Sequence, residues 1–176
     1  MPQKRKNLAA EQTAVHPLRE ENNMPTDQEL KDLVKEKYGE IALQSKEQNE
    51  TSCCGSECGC NTVDFSIMAE DYTKLPGYVA DADLALGCGI PTEFAQLKPG
   101  DTVVDLGSGA GNDCFVARSI VGETGRVIGI DMTEPMLEKA NKNVKALGFT
   151  NVEFRFGDIE NIPIANNTAD VVVSNC

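Results

Sequence analysis

Residues 102–113 read TVVDLGSGAGND and carry the strongest structural signal in this chain. A valine-rich apolar run leads directly into three glycines within five positions, and a helical pattern follows from about Asp113 to Val121. A strand, a glycine turn and a helix in this order begin a βαβ unit. The turn lies beyond the carboxyl end of its strand, where open α/β sheets bind their ligands. Because glycines lack a Cβ atom and the helix starts with free N–H groups, such a turn can hold a ligand.

The same alternation of strand and helix continues to the end of the chain. RVIGID at 126–131 is the second predicted strand, and the helix after it is predicted to begin at Thr133 and to end at Gly148. Further strands are predicted in NVEFRF at 151–156 and ADVVVSN at 169–175. Strands that alternate with helices predict a doubly wound, mostly parallel α/β sheet of the Rossmann-like type.

The N-terminal third divides into three predicted segments. Residues 1–25 are polar and without periodicity, which predicts a disordered tail. Thr26 and Glu29 have capping-box spacing before an amphipathic helix, which is expected to pack on the main domain. This helix and a cysteine-rich loop occupy 26–63, and the ligand-binding domain is predicted over 64–176.

The last predicted strand indicates a truncated domain. Val171–Val173 is apolar enough for the middle of a sheet, yet almost no sequence follows to cover it. The chain is therefore expected to be the N-terminal portion of a longer protein, interrupted after the fourth strand. The alternative is a short product that a partner completes.

Composition and charge exclude several classes of protein. The 176 residues suffice for one domain, and a net charge of −12 disfavours binding to nucleic acid or to an anionic membrane. No apolar run approaches the roughly 20 residues of a membrane span, and the N-terminus lacks the apolar core of a secretory signal. These features predict a cytoplasmic protein, in which thiols stay reduced. The seven cysteines are then expected to be ligands, redox groups or buried apolar residues rather than a disulfide framework.

The glycine turn departs from the dinucleotide fingerprint G-x-G-x-x-G in two ways. Gly107 and Gly109 fit the first two positions, but Asn112 occupies the third. Asp105 also places negative charge where a pyrophosphate would be repelled and a sulfonium would not. Asp131 ends the second strand, where a carboxylate can accept hydrogen bonds from both hydroxyls of a ribose. Together these residues favour S-adenosylmethionine, a cationic nucleoside without phosphates.

The motifs DLGSGAG, GIDM and GDIE closely resemble the successive motifs of class I S-adenosylmethionine-dependent methyltransferases. The resemblance implies that glycines of the turn approach the methionine moiety and that residues at later strand ends hold the ribose, the adenine and the sulfonium. Ordinary packing remains an alternative for Met132 and Ile159, and capping of the next helix remains one for Asp131. The predicted cofactor-binding residues are Asp105, Gly107, Gly109, Gly111, Asp131, Met132, Asp158, Ile159, Ser174 and Asn175.

Four of the cysteines form a compact cluster in CCGSECGC. Cys53, Cys54, Cys58 and Cys60 have the spacing C-C-x3-C-x-C, which differs from the paired C-x2–4-C knuckles of most zinc sites. A structural zinc site remains the alternative, but a trap of soft thiolates for a thiophilic ion fits the pattern better. Cys114 lies one turn into the first helix after the glycine turn and is predicted to pack in the core.

Two further cysteines lie close to the predicted cofactor. Cys88 stands between two glycines in LGCGIP, and Cys176 follows Ser174 and Asn175 at the tip of the fourth strand. Since the carboxyl ends of parallel strands share one edge of the sheet, Cys176 is expected where the sulfonium lies.

The segments LGCGIPTEF, DLGSGAGNDCFVA, GIDMTEPMLEKA and DVVVSNC resemble the arsenite methyltransferases, from about residue 28 to the end. The resemblance implies that three thiolates grip As(III): Cys88, Cys176 and one of the pair Cys53 and Cys54, with Cys54 preferred. Cys58 and Cys60 lie outside the common pattern. The family also has a cysteine beyond the SNC motif, which has no counterpart here because the chain ends.

The resemblance further implies a detoxifying enzyme that transfers the methyl group of S-adenosylmethionine to arsenite or its thiol conjugates. Glutathione or thioredoxin would act as reductant, and the complete protein would be a monomer. The truncated chain is expected to be inactive by itself. Two other functions stay open: a class I methyltransferase of an organic small molecule, and a non-enzymatic thiol module that binds metal ions or metalloids.

Overall fold

The computed structural model describes residues 25–46, 48–49, 71–86 and 89–175. The predicted tail, the cysteine cluster at 53–60, Cys88 and Cys176 therefore lie outside the described residues. The helices are α1 (Asp27–Ala42), α2 (Pro91–Phe94), α3 (Asn112–Val121) and α4 (Glu134–Leu147), with 3-10 turns at Tyr72–Lys74 and Ala80–Ala82, and the strands are β1 (Thr102–Leu106), β2 (Arg126–Asp131), β3 (Val152–Phe156) and β4 (Val171–Ser174).

The four strands form one parallel sheet in the order β3-β2-β1-β4. The chain moves outward from β1 to β3 and then returns to the other side of β1, so the strand order reverses beside β1. Leu106, the last residue of β1, pairs with Ile130 of β2 and with Ser174 of β4. The predicted doubly wound parallel α/β fold is confirmed, with a topological switch point at the carboxyl end of β1.

The core lies between the central strands and the helices. Val103, Val127, Ile128 and Ile130 have no exposed surface, as expected for strands covered on both faces. Phe115 of α3 is also fully buried. Each buried side chain of this size contributes roughly 1.5–3 kcal/mol by leaving water. This core fixes β1, β2 and α3 relative to one another, and the glycine turn joins two of them.

The helix caps follow local sequence with one exception. Thr26 and Glu29 form the predicted capping box at the start of α1, with Thr26 N–H donating to Glu29 Oε2 at 2.7 Å. Gly148 ends α4 in the left-handed conformation, at a φ of 68°. Thr133 is the N-cap of α4, but its side chain makes no capping bond. Thr133 thus occupies the predicted cap position without the side-chain hydrogen bond of a cap, and its own N–H donates to Asp131 Oδ1 at 2.8 Å.

Helix α1 packs on the domain mainly through its C-terminal end. Ala42 is buried and Ile41 packs against the core, whereas Leu30 and Leu33 are 44% and 54% exposed. The expected packing of this helix on the main domain thus occurs at its C-terminal end, whereas these two leucines are largely exposed. Charge anchors the N-terminal half, since Lys31 Nζ contacts carboxylates in the segment after β3.

Strand β4 pairs only with β1 among the described strands, so it is an edge of this sheet. Val173 is buried while Val172 is 57% exposed. An apolar residue in this position is unusual for a natural edge strand. In the part of the chain that the structure describes, no helix combines the length and the apolar character needed to cross a membrane.

Candidate cofactor site at the carboxyl ends of the strands

A cavity of about 260 Å³ opens at the carboxyl ends of β1 and β2. The glycine turn, the link from β2 to α4, the segment after β3 and the end of β4 all contribute to its wall. Tyr38 of α1 and residues 82–84 close it from the N-terminal side. The cavity thus lies at the predicted switch point, and it contains seven of the predicted cofactor-binding residues: Gly107, Gly109, Asp131, Met132, Asp158, Ile159 and Asn175.

The glycine turn presents open backbone to this cavity. Gly107 and Gly109 have φ values of +75° and +52°, which side chains other than glycine rarely adopt. The N–H groups of Gly107 and Ser108 both donate to the carbonyl oxygen of Ile130, at 2.9 Å each. A Cβ atom built on Gly107 would meet no atom within 4 Å. The turn is therefore fixed by β2 and leaves room for a ligand at Gly107.

Gly111 has a different reason to lack a side chain. A Cβ atom there would lie 2.5 Å from the ring of Phe154, and φ is +96°. Gly111 is not among the residues that line the cavity. Its role as a cofactor-binding residue stays a prediction. Its close packing against the rings of Phe154 and Phe115 is a finding.

Asp131 holds the glycine turn and the start of α4 together. Its Oδ2 accepts the Gly109 N–H at 2.9 Å, and its Oδ1 accepts the Thr133 N–H. This structural role agrees with the alternative of a residue that supports the start of the helix, and it does not exclude a ligand. A carboxylate has about four lone-pair sites, so each oxygen can still accept a hydrogen bond from a group in the cavity.

The electrostatic character of the cavity is negative. Asp83, Asp113, Asp131 and Asp158 line it, and no lysine or arginine lines it in the described part of the chain. Lys31 Nζ neutralises Asp158 at 2.7 Å, and a second lysine of the N-terminal segment pairs with Asp83. Within the described residues, no cationic side chain pairs with Asp113 or Asp131. Such a site favours a cationic ligand and disfavours a pyrophosphate.

Asp105 lies behind the turn rather than in the cavity. It is 2% exposed, and the thiol of Cys114 donates to its Oδ2 at 3.3 Å. Burial, and secondarily the nearby charge of Asp113, raise the pKa of Asp105 to about 7. The same burial raises the pKa of the Cys114 thiol, which packs in the core as predicted. Direct contact between Asp105 and the cofactor stays a prediction.

Asn175 joins the end of β4 to three other segments. Its Nδ2 lies 3.0 Å from Asp113 Oδ2, 3.0 Å from the Tyr72 hydroxyl and 2.8 Å from the Gly89 carbonyl oxygen. Burial raises the pKa of Asp113, and the hydrogen bonds from Asn175 and Tyr72 oppose that shift. Ser174 differs from its neighbour, because its hydroxyl donates to the Leu106 carbonyl oxygen and it does not line the cavity.

The structure does not describe the predicted arsenic ligands. Cys53, Cys54, Cys58, Cys60, Cys88 and Cys176 all lie outside the described residues. Among the residues that are described, no group of three or more His, Cys, Asp or Glu side chains could hold a metal ion. Gly89 follows Cys88 in the sequence, and Asn175 precedes Cys176. Both Gly89 and Asn175 are described, and Asn175 Nδ2 donates to the Gly89 carbonyl oxygen.

Comparison with known proteins finds similarity to methyltransferases. Residues 97–176 match a family model described as a methyltransferase domain. An arsenite methyltransferase of Halobacterium salinarum is 43% identical over 162 residues, which cover 85% of this chain and 40% of that protein. The chain is similar to arsenite methyltransferases over most of its length.

Other arsenite methyltransferases match the same region. The human arsenite methyltransferase is 33% identical over 162 residues, again covering 85% of this chain and 40% of the relative. A crystal structure of an arsenic (III) S-adenosylmethionine methyltransferase from Chlamydomonas reinhardtii is 37% identical and covers 51% of this chain and 33% of its own, with a TM-score of 0.45. The chain spans about 40% of the length of these curated relatives.

The cavity suits S-adenosylmethionine, the cofactor that the sequence predicts. Ser108 Oγ and Asn112 Oδ1 line the cavity and are buried without a partner among the described residues. A buried polar atom without a hydrogen bond costs roughly 1–3 kcal/mol, so both atoms are suited to a polar ligand. The open face at Gly107 and the unneutralised Asp113 and Asp131 suit a nucleoside that carries a sulfonium and an ammonium.

Sequence reasoning missed several residues of this site. Ser108 and Asn112 stand inside the quoted glycine turn, and their position at a helix N-terminus could have indicated them. Asp113 follows directly and could have been found in the same way. Tyr72 and Asp83 come from a segment with no clear pattern, and only long-range contacts bring them to the cavity edge.

Proposed function

We propose that this chain contains the cofactor site and the arsenic-binding thiolates of an enzyme that methylates As(III). The observation that carries the proposal is the contact between Asn175 Nδ2 and the Gly89 carbonyl oxygen, at 2.8 Å and at the edge of the cavity. Gly89 follows Cys88 in the chain, and Asn175 precedes Cys176. Two described residues that each adjoin a proposed arsenic ligand in the sequence are thus in contact, and this contact supports the proposal.

The proposed arsenic ligands are Cys88, Cys176 and one cysteine of the N-terminal pair, with Cys54 preferred to Cys53. Thiolates are soft ligands and suit a thiophilic ion such as As(III) better than carboxylates do. Cys58 and Cys60 are available as further ligands.

In the proposed complex, the chain holds the cofactor through the strand ends. Gly107 and Gly109 border the methionine moiety, Asp131 accepts from the ribose hydroxyls, and Met132 and Ile159 flank the adenine. Asp158 lies at the adenine edge, where Lys31 orients its carboxylate. Asp105 and Gly111 support the turn from behind, while Ser174 ties β4 to β1.

When bound, S-adenosylmethionine supplies an electrophilic methyl carbon, to which the arsenic lone pair forms a bond as the carbon–sulfur bond breaks. The residues of the chain need no general base for this reaction, because As(III) is an unprotonated nucleophile. Their contribution is to hold both reactants in line, which lowers a barrier by several kcal/mol. The negative cavity favours the cation before transfer.

Turnover needs electrons from outside the chain. Methylation raises arsenic formally from As(III) to As(V), so a two-electron reductant must return it to As(III). We assign this step to thiols such as glutathione or thioredoxin, with arsenite or its thiol conjugates as substrate. A cytoplasmic, monomeric detoxifying enzyme follows from the same proposal.

The test is arsenic speciation after incubation of the full-length protein with As(III), a thiol and S-adenosylmethionine. We expect methylated arsenic and cofactor consumption that depends on As(III). Cys88→Ser and Cys176→Ser should abolish both while leaving cofactor affinity unchanged. Cys114→Ser is the matched control, because a hydroxyl can replace the thiol as donor to Asp105 outside the cavity.

Each alternative function gives a different outcome. If the cofactor binds but no methylated arsenic forms, the proposal is wrong. Turnover of an organic substrate that survives both serine substitutions would indicate a methyltransferase of small organic molecules. Stoichiometric binding of As(III) or Zn(II) without cofactor binding would indicate a thiol module.

A further inference from the structure

A buried tyrosine lies behind the wall of the cofactor cavity. The Tyr72 hydroxyl oxygen lies 2.8 Å from Asp113 Oδ1 and 3.0 Å from Asn175 Nδ2. It also lies 2.5 Å from the Gly89 carbonyl oxygen. Asp113 and Asn175 line the cavity, whereas Tyr72 does not. Tyr72 can therefore act on a ligand only through the side chains that it contacts.

The packing of the Tyr72 ring holds this hydroxyl in place. Tyr72 is 7% exposed, and its side chain packs with Ile90 and Val116. Burial, and next the charge of Asp113, raise the pKa of the hydroxyl, which therefore keeps its proton. The hydroxyl is thus a fixed hydrogen-bond donor beside the carboxylate of Asp113.

The hydrogen bonds of this cluster fix the orientation of the Asp113 carboxylate. The Asn175 amide has two hydrogens, and its Nδ2 lies 2.8 Å from the Gly89 carbonyl oxygen and 3.0 Å from Asp113 Oδ2. When the amide donates to both, the Tyr72 hydroxyl is left to donate to Asp113 Oδ1. The ionised carboxylate then accepts a bond on each oxygen, and hydrogen bonds to a charged acceptor are the stronger ones.

The Asp113 carboxylate is available as the counter-charge for a cation in the cavity. Lysines pair with two of the other aspartates that line it, Asp83 and Asp158. Both oxygens of Asp131 accept backbone N–H groups, and this residue is proposed to hold the ribose. Asp113 lies in the first turn of α3, where the helix dipole favours a negative charge, and no cationic side chain pairs with it among the described residues.

We propose that Tyr72 is a positioning residue of the cofactor site, whose hydroxyl holds the Asp113 carboxylate in place as the counter-charge for the cationic part of S-adenosylmethionine. This inference rests on the proposed function, which supplies the ligand. A carboxylate that is oriented beforehand loses less entropy when the cation binds, so the hydroxyl increases affinity without touching the ligand. Without the hydroxyl, Asp113 Oδ1 has one hydrogen bond fewer, and the pKa of this buried carboxyl rises further.

The first experiment compares a cationic ligand with a neutral one. Full-length protein is titrated by calorimetry with S-adenosylmethionine, which carries a sulfonium and an ammonium, and with 5′-methylthioadenosine, which shares the nucleoside but has no charge. Tyr72→Phe keeps the packed ring and removes only the hydroxyl. We expect this variant to raise the Kd for S-adenosylmethionine about fivefold to tenfold and to leave the Kd for the neutral nucleoside unchanged. An equal change for both ligands, or no change for S-adenosylmethionine, would contradict the inference.

The second experiment is a double-mutant cycle that needs only S-adenosylmethionine. Asp113→Asn removes the proposed counter-charge and should itself weaken binding. If Tyr72 acts through Asp113, adding Tyr72→Phe to Asp113→Asn should change the Kd by less than about twofold. Full effects of both substitutions, multiplied together, would show that Tyr72 acts by another route and would overturn the inference.

Tyr78→Phe is the matched control. The Tyr78 hydroxyl also donates to a cavity aspartate, Asp83 Oδ2 at 3.1 Å, but Lys46 Nζ pairs with the same oxygen at 2.6 Å. Since the lysine still neutralises and holds Asp83, this variant should bind S-adenosylmethionine within about twofold of the parent. The same loss of affinity in both tyrosine variants would mean that the effect is not specific to Asp113, and it would contradict the inference.

These measurements separate the role of Tyr72 from the proposed function. If the Tyr72 variants behave as expected but the parent methylates no arsenic, the proposed function is wrong and the positioning role stands. If the parent methylates arsenic and Tyr72→Phe binds the cofactor as the parent does, the positioning role is wrong and the function stands. A parent that does not bind S-adenosylmethionine would overturn both.

Discussion

Asp105→Asn tests whether a proton is held under the glycine turn. Asp105 lies in β1 with 2% of its surface exposed, and burial raises its pKa from 3.8 to about 7. Asparagine keeps the oxygen that accepts the Cys114 thiol but cannot ionise. The substitution therefore removes the titration and preserves most of the packing.

Proton linkage gives the sign and the size of the change in unfolding free energy with pH. Between about pH 4 and pH 7 the folded chain keeps a proton on Asp105 that the unfolded chain has lost. The stability that this residue contributes is thus fully present below the unfolded pKa and is lost as the pH rises through the folded pKa. A shift of about three units, at 1.36 kcal/mol each, amounts to about 4 kcal/mol over the whole window.

The assay is urea denaturation of the parent and the variant, in the presence of a reductant, at several values between pH 5 and pH 8. We expect the free energy of unfolding of Asp105→Asn to gain about 2 kcal/mol relative to the parent between pH 5 and pH 7. Ser119→Ala is the control for lower stability as such, because it removes a hydroxyl that donates to the Pro76 and Val116 carbonyls without changing any ionisable group.

Two results would refute this reasoning. One is a difference between parent and Asp105→Asn that stays constant from pH 5 to pH 8, which would mean that Asp105 ionises in the folded chain as readily as in the unfolded one. The other is the same change of slope in Ser119→Ala.

Three further predictions concern the cavity and its supports. Lys31→Met should speed hydrogen exchange in the N-terminal half of α1, because it removes the contacts to two carboxylates after β3, whereas Lys37→Met, whose partner lies on the same helix, should not. By thermal denaturation, Gly111→Ala should destabilise the fold by about 1–3 kcal/mol more than Gly107→Ala, since only the former drives a Cβ atom into a ring; equal losses would contradict the packing role. Calorimetry should show that Ser108→Ala weakens S-adenosylmethionine binding about fivefold to tenfold without loss of stability, and unchanged affinity would mean that its unpaired hydroxyl does not face the ligand.

Most of the secondary structure was predictable because its signals are local. The second strand, Arg126–Asp131, has the predicted bounds, and the capping box at Thr26 and the left-handed end at Gly148 depend on residues within one helical turn. Thr133 shows the limit of such signals. It occupies the N-cap position, but its hydroxyl makes no capping hydrogen bond, and residue type alone does not fix the side-chain orientation that such a bond needs.

The candidate site was predictable where it follows from topology. Parallel strands end at one edge, so residues after β1, β2 and β3 had to meet there, and Gly107, Asp131 and Asp158 line the cavity. Topology alone did not distinguish the role of Gly111 from the roles of Gly107 and Gly109. Its contact is with Phe154, a residue far along the chain, and sequence spacing contains no information on such a contact.

The sequence by itself determined the order of strands and helices and the glycine turn, because hydrophobic period, caps and turn residues act over a few positions. Only the tertiary structure decided that Asp105 is buried beneath the turn, that Lys31 reaches the segment after β3, and that Tyr72 meets Asn175. These contacts join residues that are distant in the chain, and their energies depend on burial and on competing partners. Those quantities exist only once the core has brought the segments together.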